Sequence, residues 1–142
     1  MPRVTIQLPE NFNFFAHIPV RITDLNYGNH VGNDSILSIM HEARVQYLQS
    51  INYSELDLDG ISLIMRDVAI QYKAEAFYGD QLQVWVKAGD FSGSGFSLFY
   101  KLDNTASQQT IAVAHSGMVC FDYTSRRIVR LPDTVRMRLE QA

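Results

Sequence analysis

Between Asp24 and Asn33 the chain sets four Asx residues, a histidine and two glycines into ten positions, Asp24-Leu25-Asn26-Tyr27-Gly28-Asn29-His30-Val31-Gly32-Asn33. If the backbone is extended where this stretch begins, residues two apart share a face about 7 Å from one another, so Asp24 stands beside Asn26. A carboxylate in that position can take a proton or attack a carbonyl. Its other use is structural, bonding the amides of its own loop. His30, with an unperturbed pKa of about 6.5, suits proton transfer or a hydrogen bond to a polarised carbonyl, and equally the packing of the loop onto a neighbouring helix. Gly28 and Gly32 allow a ligand to come close to the backbone. Tyr27, Val31, Asn33 and Asp34 complete the candidate substrate contacts around them.

Other chemistries lack their residues. His17, His41 and His115 are scattered and match no metal-ligand spacing, so no metal is expected. There is no G-x-S-x-G elbow for a serine hydrolase; Ser94-Gly95 falls in a hairpin rather than at a strand-to-helix turn. The single cysteine, Cys120, lies in the apolar run Val119-Cys120-Phe121 and reads as a buried, inert thiol. A formal charge of -3 with acidic and basic residues interleaved argues against nucleic acid, whose phosphates are met by clustered Lys and Arg. Arg126, Arg127 and Arg130 do cluster near the C-terminus, either as forks for the phosphates of a ligand or as a solvated basic turn. No stretch has the ~20 apolar residues of a membrane span, and the N-terminus has no signal-like apolar core. A soluble, cytoplasmic protein is the expectation.

The elements that must position these residues can be read from periodicity. At 142 residues and 46% hydrophobic, the chain suits one domain, residues 1–142, with a real core. After an irregular lead-in, His17 to Thr23 alternates as a half-buried strand, with Pro19 at an edge or strand start. Past the polar loop, Ile36, Met40, Ala43 and Tyr47, widened by Leu37 and Leu48, predict an amphipathic helix from about Asp34 to Ser50, capped by Asn33, Asp34 or Ser35. Strands are then expected over Ser62–Tyr72, from Gln81 to Lys87, from Phe96 to Leu102 and from Gln109 to Tyr123. A short helix from Pro132 closes the chain. The order is strand, loop, one long helix, then a meander of antiparallel strands, an α+β arrangement with the helix on the concave face of the sheet. Open strand edges on such a sheet favour a dimer paired across a two-fold axis.

The loop and the helix after it carry a resemblance. Asp24 to Asn33 followed by His41-Glu42-Ala43-Arg44-Val45-Gln46-Tyr47-Leu48 is similar to the D-x-D-xxx-H-V-x-N loop and E-A-R-xx-Y-L helix of the hotdog-fold thioesterases. These are the 4-hydroxybenzoyl-CoA thioesterases and their acyl-CoA and acyl-carrier-protein relatives. Tyr72-Lys73-Ala74-Glu75-Ala76-Phe77-Tyr78-Gly79-Asp80 resembles the family's Y-xxx-A-xx-G-D turn, and Arg130-Leu131-Pro132 its ending, so the likeness runs from about residue 17 to 140. The resemblance implies a hotdog fold, a long central helix wrapped by a curled antiparallel sheet of five or so strands. It also implies hydrolysis of an acyl-CoA or acyl-carrier-protein thioester bound between two subunits, with CoA entering only as part of the substrate and no further cofactor. Homodimers, and tetramers built from them, go with that picture.

In such enzymes a loop carboxylate acts as nucleophile or as base for water, while amides at the helix N-terminus, here Val31 to Asp34, polarise the thioester carbonyl. Some use a carboxylate within the helix, which makes Glu42 a second candidate base; pairing with Arg44 or with an arginine of a partner strand is the alternative. The departure is at Asn26, where many relatives carry the second Asp of D-x-D. An amide neither takes the proton that water must lose nor attacks as a carboxylate. Either Asn26 orients water or carbonyl, or another carboxylate, Asp24 being nearest, has taken over, or the chain is a hotdog module that only binds an acyl group or assembles. A hydratase of the same fold fits less well, because Asp24 and His30 are six apart without the usual proline.

Overall fold

The computed structural model describes residues 3–142. A strand β1 (Phe14–Pro19) leads through a 3-10 turn (Ile22–Asp24) and the polar loop into α1 (Asn33–Ser50). Next come β2 (Ser62–Tyr72), β3 (Gln81–Gly89), β4 (Gly95–Asn104), β5 (Thr110–Asp122), the two-residue β6 (Arg127–Ile128) and α2 (Asp133–Gln141). All strand pairings are antiparallel, in the order β1-β3-β4-β5-β2 with β6 on the end of β5. The sheet is curled and unclosed around α1. This is the hotdog arrangement. Among the described residues no helix is long and apolar enough to cross a membrane.

The periodicities explain the layers. Leu82, Val84, Val86 and Ala88 on β3 and Phe96, Leu98, Tyr100 and Leu102 on β4 alternate inward and are buried. They meet the apolar stripe of α1, where Ile36, Ile39, Met40, Ala43, Tyr47 and Leu48 are buried. Burying a large apolar side chain is worth about 1.5–3 kcal/mol, so this stripe rather than helix propensity holds α1 in place. Outward residues form a second, smaller aromatic layer: Trp85 stacks on Phe15 at 5.0 Å and on Phe12 of the lead-in at 6.2 Å.

Three sequence expectations change. The first strand lies earlier than His17–Thr23: Pro19 has no N–H for the ladder, and Val20 instead donates to the Asp80 carbonyl at 2.9 Å as the chain leaves the sheet. The strands after the helix are not one simple meander, since β2 crosses to pair with β5 and leaves β3 beside β1. Finally, the side chains of Asn33, Asp34 and Ser35 do not cap α1; Gly32 holds the N-cap position without a side-chain bond. Both edges of the sheet stay open. The β2 edge is eleven residues long, with Met65 and Tyr72 exposed.

Candidate active site

The loop is built by its Asx residues. Asp24 is 4% exposed, and its carboxylate accepts the Arg21 backbone amide at 2.8 Å and the Arg21 guanidinium at 3.2 Å, closing the 3-10 turn. Its carbonyl takes the Gly32 amide at 3.0 Å. Asn26 uses its Oδ1 to accept the Gly28 amide at 2.9 Å, an Asx turn, while its own amide donates to the His30 carbonyl. Asn29 completes the reversal at φ 63°, a left-handed conformation that Asn tolerates better than most residues. The His30 Nδ1 lies 3.1 Å from the Val31 carbonyl; that oxygen can only accept, so Nδ1 carries a proton, and Nε2 is turned toward Gly28.

At the end of the loop the helix begins bare. The Val31 amide is spent on the Ala76 carbonyl at 2.8 Å and the Gly32 amide on Asp24, so these two of the expected oxyanion donors are already occupied. The first-turn amides from Asn33 onward have no side-chain cap among the described residues. They carry the positive end of an eighteen-residue helix. Asp34 sits beside them with its carboxylate exposed and drawn back over Gly32: a Cβ added at Gly32 would stand 2.6 Å from Asp34 Oδ1 and 3.5 Å from Asn26 Cβ. Tyr72, reaching over from the β2 edge, donates its hydroxyl to the Asn33 carbonyl at 3.2 Å. Burial first, and then the Asp34 charge, hold the Tyr72 phenol above its ordinary pKa, so it stays a neutral donor.

Two clefts divide the remaining candidates, one at this helix end and one further along α1. One, of about 270 Å³, is lined by His30, Val31, Asn33, Tyr72, Lys73 and Glu75 among others. The other, of about 460 Å³, runs along the outer side of α1 against β1 and holds His17, Arg21, Asp24, His41 and Glu42. Glu42 is exposed and accepts from Gln46 at 2.8 Å rather than pairing with Arg44, which points the opposite way on the helix. Eight residues along α1, it is about 12 Å from Asp34. Tyr27 stands fully exposed at the tip of the loop. Arg126 and Arg127 are not brought to this site. They lie beyond Asp122 at one end of β5, whereas the cleft opens beside Ile111 at the other, on the order of 30 Å away along the strand. Among the described residues no group of three His, Cys, Asp or Glu side chains is arranged for a metal ion.

The profile of the thioesterase-like superfamily matches residues 20–139, from the end of β1 to the end of α2. The chain belongs to that superfamily. The fold of this thioesterase-like chain is shared with solved structures. A 1,4-dihydroxy-2-naphthoyl-CoA thioesterase from Synechocystis is 24% identical with a TM-score of 0.80, covering 89% of this chain and 94% of its own. A probable thioesterase from Escherichia coli is 22% identical with a TM-score of 0.74, over 91% and 98%. A putative thioesterase from Pseudomonas aeruginosa is 23% identical with a TM-score of 0.80, over 89% and 98%. At these identities the likeness is one of fold. No curated protein sequence matches the chain significantly.

One feature of this thioesterase-like domain went unseen in the sequence. Arg44, 5% exposed, donates to Glu55 in the segment after α1 and to the Tyr100 hydroxyl at 3.2 Å; Tyr100 in turn meets Ser116 at 2.9 Å, and His41 at the cleft rim lies 3.3 Å from Glu55. Burial works to lower the Arg44 pKa, but Tyr100 and Glu55 outweigh it and the net shift is upward. For Glu55, burial works to raise the pKa and the bond and charge of Arg44 carry it below the usual carboxylate range. No spacing rule links residues 44, 55, 100 and 116. The only signal was an arginine in the middle of the apolar stripe of the helix.

Proposed function

We propose that the protein hydrolyses acyl thioesters of CoA or acyl-carrier protein, releasing the free acid and the thiol. The observation that carries this reading is the bare start of α1. Its first-turn amides, beyond Val31 and Gly32, are free to receive the carbonyl oxygen of a thioester as negative charge develops there, and a fixed donor set of this kind stabilises an oxyanion without reorganisation. The neighbouring cleft gives the acyl carbonyl a way to the helix end, with the exposed Tyr72 and Lys73 at its mouth. Water is the nucleophile. The β2 edge beside the site is the surface for a second copy, so that the working form is a homodimer with the cleft at the subunit boundary.

Incubating purified protein with short, medium and long acyl-CoAs and with acyl-carrier protein, and measuring released thiol, tests the reading; turnover of at least one is expected. The absence of turnover on all of them removes it. A second reading, a module that binds an acyl thioester without cleaving it, is favoured by Asn26, whose side-chain oxygen is committed to Gly28 and which has no proton-accepting group. Saturable acyl-CoA binding without thiol release is its signature.

A further inference from the structure

We propose that Asp34 is the general base of this hydrolase, filling the role that Asn26 cannot; the assignment rests on the thioesterase reading above. Three observations lead to it.

The first is elimination among the neighbouring groups. Asp24 is buried, and its oxygens are held by the Arg21 amide and guanidinium, so it is committed to the 3-10 turn. The Asn26 oxygen is held by Gly28. His30 lines the adjoining cleft, with Nδ1 bonded to the Val31 carbonyl and Nε2 against Gly28. Glu42 lies two turns further along α1 and bonds Gln46. The Asp34 carboxylate and that of Glu75, which lines the adjoining cleft, are both exposed and take no hydrogen bond or ion pair among the described residues; of the two, Asp34 stands on the first turn of α1, whose amides receive the oxyanion.

The second is the glycine before it. Gly32 has φ −70° and ψ 155°, dihedrals that any residue adopts, so its backbone does not require glycine. Space does. A Cβ there would stand 2.6 Å from Asp34 Oδ1, inside any real contact, and the next nearest neighbour is the Asn26 Cβ at 3.5 Å. The missing side chain makes room for the Asp34 carboxylate on the Asn26 side of the loop.

The third is Tyr72. Its hydroxyl, bonded to the Asn33 carbonyl at 3.2 Å, ties the β2 edge to the residue preceding Asp34. Titratable neighbours of the carboxylate are Tyr72 on β2, with His30, Lys73 and Glu75 in the adjoining cleft.

Asp34 takes one proton from water as the oxygen bonds the thioester carbonyl carbon, and the first-turn amides hold the resulting oxyanion. The C–S bond then breaks, the electron pair leaves with sulfur, and the Asp34 carboxyl returns its proton to the thiolate. Acid and thiol are released and the carboxylate is restored.

The test is steady-state hydrolysis of the best acyl-CoA substrate by wild type, Asp34→Asn, Glu75→Gln, His30→Ala and the double variant Asp34→Asn/Asn26→Asp, with thermal melting of each. Asp34→Asn is expected to lower kcat by roughly 100-fold or more, the usual contribution of a positioned base, with KM and melting temperature little changed. Restoring a carboxylate at position 26 in that background is expected to raise kcat again. Asp34→Asn with near wild-type kcat, or a Glu75→Gln or His30→Ala loss larger than that of Asp34→Asn, overturns the assignment. An inactive wild type removes the hydrolase reading itself, whereas an active wild type with an unaffected Asp34→Asn removes only the role of Asp34.

Discussion

Arg44 donates to the Tyr100 hydroxyl at 3.2 Å from within the core, on the same guanidinium that pairs with Glu55. A cation on the apolar face of a helix is tolerated only when its donors are met, because an uncompensated buried charge costs several kcal/mol. Glu55 therefore ties the segment after α1 back onto the helix, and Tyr100 and Ser116 extend the tie into the sheet.

Glu55→Gln is expected to destabilise the protein by on the order of 3 kcal/mol near neutral pH, read as a lower melting temperature. Because the folded pKa of Glu55 lies below the ordinary 4.5, its contribution is complete above that value and is lost as pH falls through the folded pKa. The melting curves of wild type and Glu55→Gln should converge in acid. A gap that stays constant down to strong acid would show that the charge of Glu55 is not what matters.

Tyr47 illustrates the opposite case. Its hydroxyl ends beside the Ala88 backbone, sealed in the core, yet finds no hydrogen-bond geometry there among the described residues, and burial pushes its pKa well up. Tyr47→Phe keeps the edge-on packing against Phe14 at 5.5 Å and removes an unsatisfied group. The melting temperature should be unchanged or higher, by the equivalent of about 1 kcal/mol.

Asp24→Ala separates a structural carboxylate from a chemical one. It strips the Arg21 amide of its acceptor and should cost about 1–2 kcal/mol, as loss of a cap does. Its kcat should fall less than that of Asp34→Asn. If instead activity vanishes while the melting curve does not move, Asp24 is the base.

The long β2 edge, with Met65 and Tyr72 exposed, carries no further strand among the described residues. Sedimentation equilibrium should give a homodimer or a multiple of it. A monomer at micromolar concentration would contradict the proposed shared cleft.

Much of this architecture was legible in the residues. The 3.6-residue recurrence of Ile36, Met40, Ala43 and Tyr47 placed α1 to within a residue, and strict alternation from Gln81 to Lys87 placed β3, because both patterns report burial directly. Cys120 was read as a buried thiol, and burial does raise its pKa to about 11. The alternation of Val20 and Ile22 predicts a strand running past Pro19, yet Pro19 has already broken the ladder and Ile22 ends exposed in the 3-10 turn.

Sequence alone therefore determined which segments fold, which face of each is apolar, and that a loop rich in Asx and glycine opens a helix. Those properties are local and repeat with the period of the backbone. Only the tertiary structure decided that Asp24 is committed and Asp34 is not. Asp24 and Asp34 look equally available in one dimension, and it takes the closing of the 3-10 turn on Arg21 to occupy the first, and the space left by Gly32 to seat the second. Hydrogen-bond commitments between residues depend on where the chain returns, and periodicity carries no record of that.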